Sequence, residues 1–169
     1  MAARVFGIAP SKSTCIQPNF AQSLAVKLLS GVASATGKTV GYGVGGSLGA
    51  GYRNFGFNFG ASQQLVVAPD GTAGLATSYT KQLFGVASEG FGGVAGFQLT
   101  GSTVQTVMDL QGYSLDGGVV AGDELGVGFD GTVSPGDSLD LGVTGTFGLG
   151  FGEYGHAGSV TQTVVHPFC

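Results

Sequence analysis

The chain reads as all-β: an antiparallel meander of about eight long glycine-rich strands, forming a barrel or a sandwich, with one N-terminal amphipathic helix. Three observations predict this. First, the stretch "LDLGVTGTFGLGFG" (residues 139–152) alternates strictly: Leu139, Leu141, Val143, Phe147, Leu149 and Phe151 on one face, and Asp140, Thr144, Thr146 and several glycines on the other. A period of two is the strand period. Second, glycine makes up 34 of 169 residues while 43% are hydrophobic and 9% charged, a chain too apolar and too weakly charged for a disordered linker. Third, turn signals recur between the alternating runs, at Arg53-Asn54, Pro69-Asp70-Gly71, Asp116-Gly117-Gly118, Asp130-Gly131 and Pro135-Gly136-Asp137.

Residues 1–38 stand apart as an arm and a helix that packs on the β-domain of residues 39–169. Asn19 is suited to cap a helix whose apolar residues Phe20, Leu24, Leu28 and Val32 recur at helical spacing and which ends near Gly37. From residue 39 the period changes to two: Val40, Tyr42, Val44, Leu48, Ala50 and Tyr52 alternate with glycines, and Phe55, Phe57 and Phe59 continue the pattern beyond the turn, giving a long hairpin. The apolar face is expected to supply a large β-core. The bare glycine face is expected to let another layer approach closely, whether the helix, the opposite wall or a second molecule.

Charge is segregated. Residues 1–60 carry Arg4, Lys12, Lys27, Lys38 and Arg53 with no acid, and residues 61–169 carry Lys81 against all ten acids. The cations are dispersed, so nucleic acid is not an expected partner. Asp109, Asp116, Asp123, Asp130 and Asp137 fall seven apart, an odd spacing that flips faces along a strand, and are expected to form a solvated acidic rim at turns, with weak calcium binding as an open alternative.

Motifs for chemistry fail on context. Gly37-Lys38-Thr39 lacks the upstream glycine of a phosphate loop and follows a helix instead of opening one. The "GYGVGG" and "GVGFDG" runs match dinucleotide spacing but precede no helix, and a calcium-type nonapeptide occurs once where a solenoid needs several copies. His156 and His166 accompany no nucleophile motif, and Glu153 and His156, three apart on a strand, point to opposite faces. No catalytic residue, cofactor site or metal site is assigned. The tyrosines 42, 52, 79, 113 and 154 offer stacking surfaces for a small ligand or carbohydrate, or are core and interface residues.

The blocks "DLQGYSLDGG", "QQLVVAPDGTAGLATSY" and "GFGEYGHAGSVTQTVV" resemble the glycine-rich β modules at the C-termini of large bacterial proteins of the RHS and polymorphic-toxin type, over about residues 39 to 168. That resemblance implies an all-β module with no catalytic residues to carry over. A free-standing chain of this style with a terminal thiol is also similar in kind to the octin-type crystal-forming proteins of fungal vacuoles.

The leading expectation is therefore a non-enzymatic structural protein that self-assembles, its partner a second copy of itself, with Cys15 and Cys169 as candidates for disulfides between molecules. The expected location is an oxidising or lumenal compartment such as a vacuole if those disulfides form, and the cytoplasm otherwise. One alternative is a membrane-active or toxin-associated barrel: strands alternating apolar and small residues suit it, and Gly, Ser, Thr and Asn would line a polar lumen. The absence of Trp, of an aromatic girdle and of a signal peptide argues against it. The other is the ligand-binding barrel.

Overall fold

The computed structural model describes residues 15–135 and 139–169. The arm before Cys15 and the turn at Gly136-Asp137 lie outside the described residues. One helix, α1 (Phe20–Thr36), precedes six strands: β1 (Thr39–Tyr52), β2 (Phe55–Val67), β3 (Ala73–Ala87), β4 (Gly90–Ser102), β5 (Gly112–Pro135) and β6 (Leu139–Pro167). The all-β class with a single N-terminal helix is as the alternation predicts.

The strands form one antiparallel sheet in the order β3-β2-β1-β4-β6-β5, with β3 also paired to β6. Within it β3 and β4 run in opposite directions, yet β6 is antiparallel to both: Gly142–Gly152 pair with β4, and His156–Pro167 with β3. A strand of 29 residues meets both conditions only by doubling back, and it does so next to Gly152, which holds a left-handed φ of 65°. β5 follows β6 along its length and doubles back with it at Glu124, φ 72°. Its two arms then lie side by side, because a Cβ added to Gly118 would fall on Phe129 O and one added to Gly122 would crowd Gly126. Six strands thus supply eight staves of a closed barrel.

The turns follow local chemistry. Arg53 and Asn54 both take positive φ in the two-residue β1–β2 turn, the twist that matches a right-handed hairpin. At the β2–β3 turn Gly71 is left-handed, and the Asp70 carboxylate accepts from Thr72 N and Oγ1 at 2.8 and 2.6 Å. Asn19 and Gln22 form a reciprocal capping box on α1, at 2.8 and 2.9 Å, and Gly37 closes the helix with φ 63°.

α1 lies against the outside of the barrel and does not plug it. Ala25, Val26, Leu29 and Ala33 pack over Val40, Leu65, Val67, Ala73 and Phe168. The stripe Phe20, Leu24, Leu28, Val32, expected to be the packing face, is instead exposed, Phe20 to 87%. The β-branched and alanine-rich neighbouring stripe fits the curved wall more closely.

Two corrections concern named residues. Cys15 and Cys169 bond to each other within one chain, with their Cα atoms 5.3 Å apart, so neither thiol is left for a link between molecules. Ile16 forms a parallel bridge with Phe168, which brings the two chain ends together. Asp116 and Asp130 are not at turns: both lie within β5 and point into the barrel, so among the four described aspartates of the expected acidic rim only Asp109 and Asp123 are exposed, Asp137 lying outside the described residues.

Candidate functional site: an apolar wall around a polar lumen

Alternation in a closed barrel sends one set of side chains to the lumen and the other to the surroundings. Here the large apolar set faces out. Register places Val44, Phe97, Phe147 and Val127 in one row across β1, β4, β6 and β5, and Gly46, Ala95, Leu149 and Leu125 in the next. Leu149 is 73% exposed and Phe147 60%. The apolar face expected to form the core is the outer surface of the molecule.

The lumen takes the set read as nearly bare. Gln64 Nε2 donates to Gln98 Oε1 at 2.9 Å, and Gln98 Nε2 donates to Thr146 Oγ1 at 3.0 Å. The hydroxyls of Thr100 and Thr144 pair at 2.8 Å, those of Ser78 and Thr163 at 2.8 Å, and those of Thr80 and Thr161 at 2.6 Å. Ser159 Oγ donates to Gln82 Oε1 at 2.8 Å. These glutamines are among the most buried side chains, Gln98 being 7% exposed. Glycine makes the network possible: a Cβ on Gly41 would come within 2.7 Å of Gln64 Oε1, and one on Gly45 within 2.6 Å of Gln98 Oε1. The bare positions are the space into which longer polar side chains of neighbouring staves extend.

Both ends of the lumen are filled. At the end bearing the β2–β3 turn, Val66, Ala68, Ala76 and Val165 meet Val107 and Leu110 of a short helical turn, Val107–Leu110. Toward the opposite end Val94, Val120 and Tyr154 are buried, with Tyr154 OH donating to Phe57 O at 2.8 Å. Between them is a cavity of about 140 Å³ lined by serine, threonine, Gln64, Gln98, Asp116 and Asp130.

Around the end that carries the Arg53–Asn54 turn, Tyr52, Phe55, Phe57, Phe91 and Phe151 form an exposed aromatic collar, with Phe91 and Phe151 rings 5.3 Å apart. Arg53 lies over the Tyr52 ring at 5.3 Å, and Glu89, Asp123, Glu124 and Glu153 cluster in the turns beyond the collar. The outer wall is less uniform toward β2 and β3, where Gln63, Thr77, Lys81 and Gln162 face outward.

Of the tyrosines, 42, 52, 79 and 113 are exposed on the wall and Tyr154 is buried, so they do not converge on one binding surface. Glu153 faces out and His156 in, as their spacing requires, and His166 lies on the outward face near the chain end. The structure brings together three groups that sequence reasoning left apart. Asp116, Asp130 and His156 each offer an atom within 4.8 Å of the others, His156 Nε2 standing 3.5 Å from Asp130 Oδ1. A signal was present: Asp116 and Asp130 are an even number of residues apart, which puts them on one face.

No protein-family model, curated protein or solved structure matches this chain.

Proposed function

We propose that this protein is a membrane-embedded, non-conducting β-barrel whose outer wall sits in the hydrocarbon layer of a bilayer. The observation that carries this reading is the inversion of faces: large apolar side chains outside, hydrogen-bonded amides and hydroxyls inside, the arrangement of barrels that live in lipid. Leaving a large apolar side chain in water costs about 1.5–3 kcal/mol relative to burying it. Half of that, over about a dozen outward side chains, is comparable with the roughly 5–15 kcal/mol net stability of a whole domain. Such a surface calls for a cover, and closure of the barrel leaves no open strand edge among the described residues.

The dimensions support the same reading. About 11 residues, the run from Tyr42 to Tyr52, tilted as barrel strands are, span roughly the 25 Å of an apolar band. The aromatic collar with charged turns beyond it has the order expected at a membrane boundary. The exposed stripe of α1 extends the apolar surface in the manner of an interfacial helix. No helix among the described residues is long and apolar enough to cross a membrane, and the strands are the membrane-facing elements in this reading. Lys81 is four carbons long, and its ammonium can rise toward the polar boundary.

Because both ends of an eight-stave lumen are filled, the barrel is read as a membrane-resident structural element and not as a pore. Self-assembly, the other reading of the alternation, would have to run through the same wall without cysteine links. The test is refolding in the presence of liposomes. The expected result is that the chain floats with the vesicles, resists a high-salt wash and releases no trapped dye. A monodisperse, detergent-free protein that stays below the vesicles overturns the proposal, and large lipid-free particles that persist beside vesicles favour self-assembly instead.

A further inference from the structure

We infer that Asp116, Asp130 and His156 form a divalent-metal site inside the barrel, fitted to a first-row transition ion, with Zn²⁺ the best match. The three ligands come from adjacent staves: Asp116 and Asp130 from the two arms of β5, His156 from β6. Gly118 is the register partner of His156 and also lies beside Asp130, so a bare position sits between the imidazole and the carboxylate. A Cβ on Gly118 would fall on Asp130 Oδ1. The glycine leaves the floor of the site open, and the two donor groups meet above it.

His156 supplies the second, independent observation. It is 6% exposed, and both its ring nitrogens are buried with no hydrogen-bond partner. The 3.5 Å from Nε2 to Asp130 Oδ1 is beyond the range of a good hydrogen bond, but two ligands on a tetrahedral ion with bonds of about 2.1 Å stand roughly 3.4 Å apart. Closing the remaining separations, none above 4.8 Å, takes a carboxylate rotation. The imidazole is stacked on Tyr154, ring centroids 5.7 Å apart, which holds its plane. Thr161 Oγ1 donates to Asp116 Oδ1 at 2.9 Å and orients that carboxylate as outer partners of metal ligands do.

Electrostatics point the same way. Asp116 is 9% exposed, and among the described residues that line the cavity with the two aspartates there is no lysine or arginine. Two neighbouring carboxylates in a largely buried cavity repel each other as anions, and a divalent ion bound between them offsets that repulsion. One imidazole with two carboxylates favours zinc over the all-oxygen sets of calcium and magnesium.

The test is metal retention by the purified, folded chain. After incubation with Zn²⁺ and dialysis, one equivalent per chain is expected, and retention of none overturns the inference. His156→Ala and Gly118→Ala are each expected to weaken zinc at least tenfold; zinc bound as tightly by His156→Ala overturns the site, because the exposed acids would then hold it. Should either variant fail to fold, imidazole NMR of the unaltered protein decides. Its two histidines give an internal control: Zn²⁺ is expected to shift the His156 ring and leave His166 unmoved, and the reverse, or no shift, rejects the site. A stronger response to Ca²⁺ than to Zn²⁺ rejects the donor assignment.

Discussion

The two faces of the barrel are built on the same backbone and share every strand, yet they obey opposite rules. Outside, Phe97, Phe147 and Leu149 are large, apolar and more than half exposed; inside, Gln98 and Thr146 on the same two strands are polar, hydrogen-bonded and buried. A water-soluble barrel has the reverse arrangement, with apolar residues filling the interior. The difference teaches that the alternation of this chain encodes two solvents, a polar one within the lumen and an apolar one around it, and that glycine serves the inner face by giving room to the few long polar side chains there.

The largest expected effect comes from putting a charge into the outer face. Leu149→Arg, in the middle of the wall, is expected to destabilise the lipid-inserted barrel by about 2–4 kcal/mol, read from denaturant unfolding in vesicles. A loss this large confined to lipid sharpens the contrast between faces, and no loss breaks it. Comparable in size is the cost of opening the chain ends. Cys169→Ser removes the cross-link to Cys15 across a separation of 154 residues, and is expected to cost about 2–5 kcal/mol without altering the face preference.

On the inner face the opposite substitution should hurt. Gln98→Leu leaves Gln64 Nε2 and Thr146 Oγ1 without their partner and is expected to cost about 1–3 kcal/mol, although it raises hydrophobicity. If instead it stabilises, the lumen behaves as an ordinary core. The smallest effect is expected at Lys81, on the more polar sector near β2 and β3. Lys81→Leu should change stability by no more than about 0.5 kcal/mol in the same vesicle assay, because the exposed ammonium has room to leave the apolar layer.

Much of the fold is legible in the sequence. The alternation of Val40–Tyr52 and of Leu139–Phe151 marks strands, Asn19 and Gly37 bound the helix, and Pro69-Asp70-Gly71 marks its turn. Which face points inward is not legible, because a period-two pattern is unchanged when the two faces are exchanged. Only closure and the placement of Gln64, Gln98 and Thr146 decide it. The helix stripe was ambiguous for a related reason: Phe20, Leu24, Leu28 and Val32 are the larger side chains, but Ala25, Val26, Leu29 and Ala33 allow the closer approach to a curved wall.

The Asp116, Asp130 and His156 cluster was hidden by its own glycines. Gly117 and Gly131 made each aspartate look like the start of a turn, while the true reversal of β5 sits at Glu124, a residue with no special preference for its left-handed φ. Likewise, cysteines at Cys15 and Cys169 carry no sequence signal for pairing within a chain; only the meeting of the termini beside β3 shows it.

The account is tested most directly by a reporter on the outer wall. The chain contains no tryptophan, so Phe147→Trp introduces a single indole, excited apart from the five tyrosines, at a large outward aromatic position. In vesicles containing brominated lipids, the account predicts blue-shifted emission that is strongly quenched by the bromine on the acyl chains. Emission that stays at the wavelength of a water-exposed indole and is untouched by brominated lipid would contradict it.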